Sequence, residues 1–508
     1  MADMETKAAV TGAAGTTAAA ATTAGLSATG SQARGLRPGA AAPGEHRPRR
    51  LTLTVACFGT LLVLTNYCAP MSTLSDTAAD LHSSVSGQTW MLSSVMLGIA
   101  ALLLTTGGLG DAHGQRRAFL AGSAVLAVST AAGAMATGTG MFVAARIVQG
   151  MGSAAILTGS LGIIGHNFPA GPQRTRATGL WGAMVGGGIT LGPSLSAALA
   201  MAVDWRFGYW VFAAGAVVLT VAVRTCLDES RGNRPERTDW TGAVLFGGAV
   251  TALLAALIEG RSGWGRPQVL VLFAVAAVVA LAFVVVELRT SAPMLDLRLF
   301  LSPGFNAATL GSLFTGLSVL GVLSYLPTVM EKSMGMAALP AGAMLGVWSG
   351  TSFVVSLLAR RIGDRVQGWH RLVIGMALSI VGDVAVLGIA PDAHWARFLP
   401  GLAVSGVGSG LLNAALARMA VESVPVHQAG MGAGANNTAR YVGAAIGVAL
   451  TVVASTSVGS SGDPAVDAGA GMDRALLLSA GLSALGGLAI AATRLWSARE
   501  ERTRASAH

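Results

Sequence analysis

The sequence predicts an all-α integral membrane protein in which fourteen transmembrane helices form two six-helix halves with two inserted helices between them. The chain of 508 residues is 53% hydrophobic and only 11% charged, whereas ordinary globular domains are about 25% charged. Apolar runs of about 20 residues, long enough to cross a bilayer as helices, recur from Leu51 to Trp496. An internal repeat, described below, predicts the division into halves.

The apolar runs define the predicted helices in order. The first half, 51–227, holds spans at 51–74, 88–109, 118–137, 139–165, 176–201 and 207–226. The segment 239–288 holds two inserted spans, 240–259 and 267–287. The second half, 304–497, holds spans at 304–328, 337–358, 372–390, 395–420, 428–455 and 473–496. Residues 1–50 and 498–508 are predicted to be cytoplasmic tails, and the first, rich in Ala, Thr and Gly, is expected to be disordered.

Basic residues indicate the orientation of these helices. The net charge is +9, but the basic residues are scattered through short loops, which argues against a nucleic-acid-binding face. With both termini in the cytoplasm, most of the 33 Lys and Arg fall on the cytoplasmic side, as the positive-inside rule expects. We therefore expect a multi-pass protein of the cell membrane, embedded in the lipid bilayer and without a nucleic-acid partner.

The sequence does not indicate an enzyme. It has no phosphate-binding Gly-rich loop, and none of its 8 histidines lies near the middle of a span. Of the 3 cysteines, Cys57 and Cys68 share one helix, where they would lie about 16 Å apart, too far for a disulfide. We expect no catalytic residue, no metal and no cofactor.

Three pairs of motifs recur at nearly one separation. They are Asp111 with Asp364 in similar basic loops, Gly150 with Gly406 in Gly-x-Gly motifs, and Gly188 with Gly443 in Gly-xxx-Gly motifs, at separations of 253, 256 and 255 residues. Such a repeat implies two parallel halves related by an axis along the membrane normal. A substrate cavity is expected between the halves.

The segment 179–196 is unusually rich in glycine for a transmembrane helix. Glycine lowers helix propensity, so its abundance indicates close packing of helices. Gly188 and Gly192 are four residues apart, and Pro193 removes a backbone donor and bends the helix. A bent, closely packed helix predicts a gate, and ordinary helix packing is the alternative.

The loop after the second span combines an acid, Asp111, with the basic residues Arg116 and Arg117. A carboxylate at a helix end can pair with an arginine or with the N-terminus of a neighbouring helix in one conformation and release it in another. We therefore predict a cytoplasmic gate in this loop. The alternative is that Asp111 is a solvated loop acid.

These motifs resemble those of the fourteen-helix drug:proton antiporters of the major facilitator superfamily. The loop is similar to the signature G-x-L-x-D-x-x-G-x-[RK], with Ala112 where the family often has arginine, and the glycine-rich helix is similar to the antiporter motif, with Ser196 in place of its final glycine. The resemblance implies the major facilitator fold and a small-molecule substrate exchanged for protons. The gating residues that it implies are Gly107, Asp111, Gly114, Arg116, Arg117, Asp364, Arg365, Gly188, Gly192 and Pro193.

Arg146 lies in a segment that resembles the family's R-x-x-Q-G-x-G motif, whose arginine is linked to proton coupling. The alternative is an arginine whose side chain reaches the membrane interface. Asn66 stands where the first helix of the family has an acid, and an asparagine cannot titrate. A different acid would therefore have to carry the proton.

Asp383 is our candidate for that acid, because it lies near the middle of the span predicted at 372–390. A structural hydrogen bond to a neighbouring helix is an equal alternative. Arg440, deep in the thirteenth span, is expected to line the cavity or take part in coupling, with helix–helix bonding as the alternative. An ion pair between Asp383 and Arg440 is a hypothesis.

The predicted cavity is apolar and aromatic with few fixed charges, which suits bulky amphipathic compounds. Its expected lining residues are Asn66, Gln149, Trp348, Asn437 and Tyr441. We therefore predict a secondary active exporter of antibiotics or other amphipathic small molecules, working as a proton antiporter. The alternative is a carrier of the same fold for one metabolite, such as a sugar or an amino acid.

Overall fold

The computed structural model describes residues 49–229, 239–260, 263–290, 295–362, 368–456 and 461–505. Within these ranges the backbone forms helices and turns and no β-strand. Nearly all of the predicted tail 1–50 lies outside the described residues, as do the predicted gating residues Asp364 and Arg365.

The first half is built from α1 (Arg49–Cys68), α2 (Pro70–Asp80), α3 (Val85–His113), α4 (Gln115–Ala134), α5 (Thr139–Asn167), α6 (Pro172–Ala202) and α7 (Trp205–Cys226). The first predicted span is divided between α1 and α2, because Pro70 has no N–H to donate to the carbonyl oxygen four residues earlier. Asp204 begins α7 by accepting a hydrogen bond of 2.8 Å from the backbone N–H of Phe207.

The inserted pair is α8 (Trp240–Gly260) and α9 (Pro267–Arg289). The second half contains α10 (Pro303–Thr315), α11 (Gly321–Met334), α12 (Ala338–Ile362), α13 (Gly368–Ala385), α14 (Leu399–Glu422), α15 (Ala429–Thr456) and α16 (Pro464–Ala505). A π-helical turn at Gly316–Leu320 joins α10 to α11, so the two form one span. Helix α16 continues to Ala505, through most of the segment predicted as a C-terminal tail.

Thirteen spans among the described residues are long and apolar enough to cross a membrane. Each corresponds to one of the fourteen predicted spans, with α10 and α11 counted together. The remaining predicted span, 372–390, is α13, whose 18 residues include His370, Arg371 and Asp383. These polar residues lower the hydropathy of α13, although it packs between α14 and α16 like a spanning helix.

The glycines of the internal repeat occupy equivalent packing positions in both halves. A Cβ at Gly150 of α5 would collide with a carbonyl oxygen of α3, and a Cβ at Gly406 of α14 would collide with a carbonyl oxygen of α12. Gly152 and Gly408 pack in the same way. An ideal Cβ at Gly152 would lie 2.7 Å from a carbonyl oxygen of α4, and one at Gly408 would lie 2.7 Å from a carbonyl oxygen of α13. The repeat read from the sequence therefore records repeated helix contacts.

The halves meet chiefly along α3 and α6 of the first half. Helix α3 packs against α15 of the other half, and α6 packs against α12 and α14. The inserted helix α8 packs on α3 and α15, beside the first of these contacts. Trp90 of α3 donates a hydrogen bond of 2.8 Å from Nε1 to Oε1 of Glu259 on α8. Helix α8 thus lies against the seam between α3 and α15, and α9 packs on α8.

Candidate functional site

The carboxylate of Asp111 lies at the N-terminus of α15, in the other half of the molecule. Its Oδ1 accepts a hydrogen bond of 3.0 Å from the backbone N–H of Gly430, and its Oδ2 accepts one of 2.7 Å from Met431. Gln115 Nε2 donates to Oδ1 at 2.6 Å. The first N–H groups of a helix have no partner inside the helix, and the helix dipole favours an anion there. Asp111 therefore links the halves at the end predicted to be cytoplasmic.

Glycines allow the two helices to approach at this link. A Cβ at Gly107 of α3 would collide with the carbonyl oxygen of Gly430 on α15. A Cβ at Gly434, one turn further along α15, would lie 2.6 Å from the carbonyl oxygen of Leu103. A larger side chain at either position would push α3 and α15 apart.

Glu229, which follows α7, holds the basic residues of this loop, and our sequence analysis missed it. Its Oε1 accepts a hydrogen bond of 3.2 Å from the backbone N–H of Arg116, and its Oε2 lies 3.5 Å from Nε of Arg117. Gly114 has φ +110°, and a Cβ there would collide with the same carboxylate. The sequence did contain a signal for this contact: Glu229 is an acid directly after the sixth span, on the same predicted side of the membrane as the basic loop.

The glycine-rich helix α6 lies between α1 and the second half. A Cβ at Gly188 or Gly192 would lie 2.9 or 2.7 Å from carbonyl oxygens of α1. The carbonyl oxygen of Pro193, inside α6, accepts a hydrogen bond of 2.8 Å from a serine hydroxyl of α2. On the opposite side, Thr190 Oγ1 donates to Ser349 Oγ of α12 at 2.6 Å. This helix therefore contacts both halves through small residues.

Arg146 of α5 is 1% exposed and binds the broken end of α1. Its Nη1 donates to the carbonyl oxygen of Asn66 at 3.0 Å, and its Nη2 donates to that of Tyr67 at 3.1 Å. The oxygen of Asn66 lacks its usual intrahelical donor because Pro70 has no N–H. Nη1 also donates to Oε1 of Gln149 at 2.6 Å. The guanidinium thus gives the carbonyl oxygen of Asn66 the donor that Pro70 cannot supply, and it also binds the carbonyl oxygen of Tyr67.

Thr130 of α4 completes this network, although the sequence did not single it out. Its hydroxyl accepts hydrogen bonds from Gln149 Nε2 at 2.8 Å and from Asn66 Nδ2 at 3.1 Å. Asn66, Gln149 and Arg146 therefore lie in one network, which is held by a threonine hydroxyl and two main-chain oxygens. Oδ1 of Asn66 and Nε of Arg146 are buried without a hydrogen-bond partner among the described residues.

Arg440 of α15 lies in the second half and is 5% exposed. Its Nε and Nη2 are buried and have no hydrogen-bond partner in the described part of the chain. The next residue, Tyr441, packs its ring edge-on against the ring of Tyr67 of α1, with centroids 6.4 Å apart. Asn437, one turn earlier, donates to the carbonyl oxygen of Ala433 in its own helix at 3.0 Å.

Asp383 is not in the middle of its helix, contrary to our expectation. Helix α13 ends at Ala385, so Asp383 lies in its last turn, 3% exposed, where Oδ2 accepts a hydrogen bond of 2.6 Å from Ser479 Oγ of α16. The hypothesised ion pair with Arg440 is not formed. The reason is that α13 packs on α14 and α16, whereas α15, which carries Arg440, packs chiefly on α3 and α10.

Trp348 of α12 lies apart from the polar residues around Arg146. It is 4% exposed and packs in the apolar core of the second half with Val319, Leu323 and Met344. Its Nε1 is buried and has no hydrogen-bond partner among the described residues. Of the predicted cavity residues, the structure joins Asn66 and Gln149 through Thr130 and places Tyr441 against Tyr67, whereas Trp348 lies in a different cluster.

The chain is similar to one protein family and to named members of it. The model of the family described as Major Facilitator Superfamily matches residues 56–448. The cephamycin export protein CmcT of Amycolatopsis lactamdurans is 32% identical over 425 residues, which cover 81% of this chain and 86% of that protein. The puromycin resistance protein pur8 of Streptomyces alboniger is 30% identical over 432 residues, covering 82% and 84%. The multidrug resistance protein Stp of Mycobacterium tuberculosis (strain ATCC 25618 / H37Rv) is 29% identical, covering 80% and 75%.

Two solved structures are similar to this one in fold. The human organic anion transporter MFSD10 has a TM-score of 0.60 at 18% identity and covers 87% of this chain and 99% of its own. The proton:xylose symporter XylE has a TM-score of 0.63 at 13% identity and covers 86% and 94%. At these identities the likeness concerns the fold alone.

Proposed function

The chain belongs to the Major Facilitator Superfamily as a drug-efflux transporter, and we propose that it exports amphipathic small molecules of the antibiotic class across the cell membrane in exchange for protons. Relatives named for cephamycin export, puromycin resistance and multidrug resistance support the class of substrate. The same names make a carrier for a sugar or an amino acid the weaker alternative.

The observation that carries the proposal is the link between Asp111 and the N-terminus of α15. Transport through a site between two halves requires each end of the seam to open and close in turn. Two backbone N–H groups of α15 meet one carboxylate of α3 across this seam. Because Asp111 is only partly buried, water can replace α15 when the halves separate. Such a link can form and break in each cycle.

We assign the proton to Asp383 within this proposal. Acids buried in spanning helices are costly and typically mark proton pathways. Asp383 is buried in the last turn of α13, and one hydroxyl, that of Ser479, donates to it. Arg146 supports the proposal in another way, because it ties the α1–α2 break to α5 and can transmit a change on either side.

The test is efflux of radiolabelled puromycin and a radiolabelled cephamycin from preloaded cells that express the protein. We expect export of at least one compound, loss of export when an uncoupler collapses the proton gradient, and the same loss in Asp383→Asn. Glu422→Gln is the matched control, because Glu422 forms an exposed pair with Arg418 and its loss should leave efflux unchanged.

Each part of the proposal has its own contrary outcome. Absence of export of both compounds by protein that is folded and in the membrane contradicts the antibiotic class. Export that persists with the uncoupler contradicts proton exchange. Export that is uncoupler-sensitive but normal in Asp383→Asn shows that another group carries the proton.

A further inference from the structure

Two buried arginines adjoin the residues of the contact between Tyr67 and Tyr441: Arg146 donates to the carbonyl oxygen of Tyr67, and Arg440 precedes Tyr441 in α15. We define the arginine cluster as Asn66, Tyr67, Arg146, Arg440 and Tyr441. Arg146 is 1% exposed and Arg440 is 5% exposed. A guanidinium remains charged in proteins, so the cluster holds two positive charges away from water.

The two guanidiniums differ in how their donors are used. Arg146 directs both terminal nitrogens at the main-chain oxygens of Asn66 and Tyr67 and at Gln149. Arg440 leaves Nε and Nη2 buried without a hydrogen-bond partner among the described residues. These two nitrogens form one edge of the guanidinium, which is the edge that a carboxylate or sulfonate binds with two parallel hydrogen bonds.

Acids that could neutralise the cluster lie elsewhere in the described chain. The fully buried acids are Asp383 and Glu287. Asp383 is bonded to Ser479 of α16, and Glu287 accepts a hydrogen bond from the backbone N–H of Leu295 near the end of α9. The first helix supplies Asn66, whose amide is neutral. A buried charge without a counter-charge is costly, so a partner of opposite sign that enters this site would be strongly favoured.

We propose that the arginine cluster binds the anionic group of the transported molecule, and that the substrates are therefore amphipathic organic anions rather than cations. Nε and Nη2 of Arg440 donate to a carboxylate or sulfonate, while Arg146 adds a fixed positive charge. The rings of Tyr67 and Tyr441 pack against the apolar body of the substrate. This inference names the substrate class and rests on the proposed function of export.

Fluorescein and rhodamine 123 test the sign of the preferred charge, since both are xanthene dyes of similar size, one anionic and the other cationic at neutral pH. Binding of each to the purified full-length protein in detergent is measured by fluorescence polarisation. We expect fluorescein to bind at least about tenfold more tightly than rhodamine 123, the factor expected for hydrogen bonds to a charged group. Equal binding, or a preference for rhodamine 123, overturns the proposal.

Variants of Arg440 locate the site. Arg440→Met is expected to weaken fluorescein binding about tenfold or more, and Arg440→Lys, which keeps the charge but not the paired donors, should recover part of it. Arg397→Met, at an exposed arginine bonded to the carbonyl oxygen of Leu387, is the matched control and should bind fluorescein normally. Unchanged binding by a folded Arg440→Met protein overturns the assignment to Arg440.

A second variant keeps the test decisive if Arg440→Met fails to fold. Asn66→Asp adds a negative charge at the residue whose carbonyl oxygen binds Arg146 and should reduce the preference for fluorescein over rhodamine 123. A folded Asn66→Asp protein with unaltered preference contradicts the electrostatic argument. Binding and export are separable here: fluorescein that binds but is not exported contradicts the proposed export and leaves the anion site standing. Export of rhodamine 123 but not fluorescein supports export and contradicts the anion site.

Discussion

The two halves of the molecule share their packing but differ in their polar interiors. Gly188 on α6 and Gly443 on α15 each let a helix approach the first spanning helix of its own half, α1 or α10. At one polar position the halves differ: Thr130 and Asp383 are 253 residues apart, the separation of the repeated loops. Thr130 joins the network of Arg146, whereas Asp383 faces Ser479. Close backbone packing tolerates little change, while a buried polar residue can be exchanged when its partners change with it.

The largest effect is expected from the shared packing. Gly150→Val and Gly406→Val each drive a side chain into a carbonyl oxygen of the neighbouring helix, which should cost more than about 3 kcal/mol. We expect little folded protein for either variant when the monodisperse fraction is measured by size-exclusion chromatography. Gly350→Val is the control, because an added Cβ meets nothing within 4 Å. Normal folding of one repeat variant but not the other would break the equivalence of the halves.

The buried arginines should differ in their effect on stability. Arg146→Met removes the side-chain donor to the carbonyl oxygens of Asn66 and Tyr67 and to Gln149, and it should destabilise the protein by about 2–5 kcal/mol, since several buried polar groups lose this hydrogen bond. Arg440→Met removes two donors that have no hydrogen-bond partner among the described residues and should leave the unfolding temperature unchanged or raise it. Thermal unfolding of both purified variants measures this difference. A larger fall in unfolding temperature for Arg440→Met than for Arg146→Met would contradict the prediction.

The link between the halves gives a smaller effect. Asp111→Asn keeps the size of the side chain but replaces the charge and leaves one oxygen to accept from Gly430 and Met431. The closed arrangement should lose about 1–2 kcal/mol, because Asp111 is partly exposed. The measurement uses protein that lacks its native cysteines and carries one cysteine at position 429, where Ala429 is 1% exposed. We expect maleimide to label this cysteine about tenfold faster when Asp111→Asn is also present. Unchanged labelling would show that Asp111 does not hold the seam.

The smallest effect is expected at Glu229. Its pair with Arg117 is exposed, with 64% of the Arg117 side chain accessible, and such pairs contribute about 0–1 kcal/mol. Glu229→Gln retains an acceptor for the backbone N–H of Arg116. The rate of maleimide labelling of the same cysteine should therefore stay within about twofold of the rate without this change. An effect as large as that of Asp111→Asn would show that the link extends to the end of α7.

Much of the fold was predictable because hydropathy is a local property of the chain. Thirteen predicted spans correspond to helices of sufficient length and hydropathy. The break after α1 was missed, although Pro70 marks it, because the apolar run continues through the proline. Asp383 was placed wrongly within α13 for a related reason: hydropathy continues to residue 390, but the helix ends at Ala385.

The candidate site was predictable in its residues but not in its contacts. Asn66, Arg146 and Gln149 were identified from motifs, and they do lie together. Thr130 and Glu229 were not identified, because a threonine in a span and an acid in a loop are common. Their roles depend on partners that lie 19 to 113 residues away in the sequence.

The sequence by itself determined the membrane class, the order of the apolar segments, and the positions where helices must approach closely. These follow from composition, from span length and from the lack of a side chain at glycine, all of which are properties of single segments. Only the tertiary structure decided that Asp111 meets α15, that Arg146 binds carbonyl oxygens rather than an acid, and that Asp383 and Arg440 are separate. A buried charge is stabilised by whichever groups surround it, and those groups come from helices that the chain order alone does not bring together.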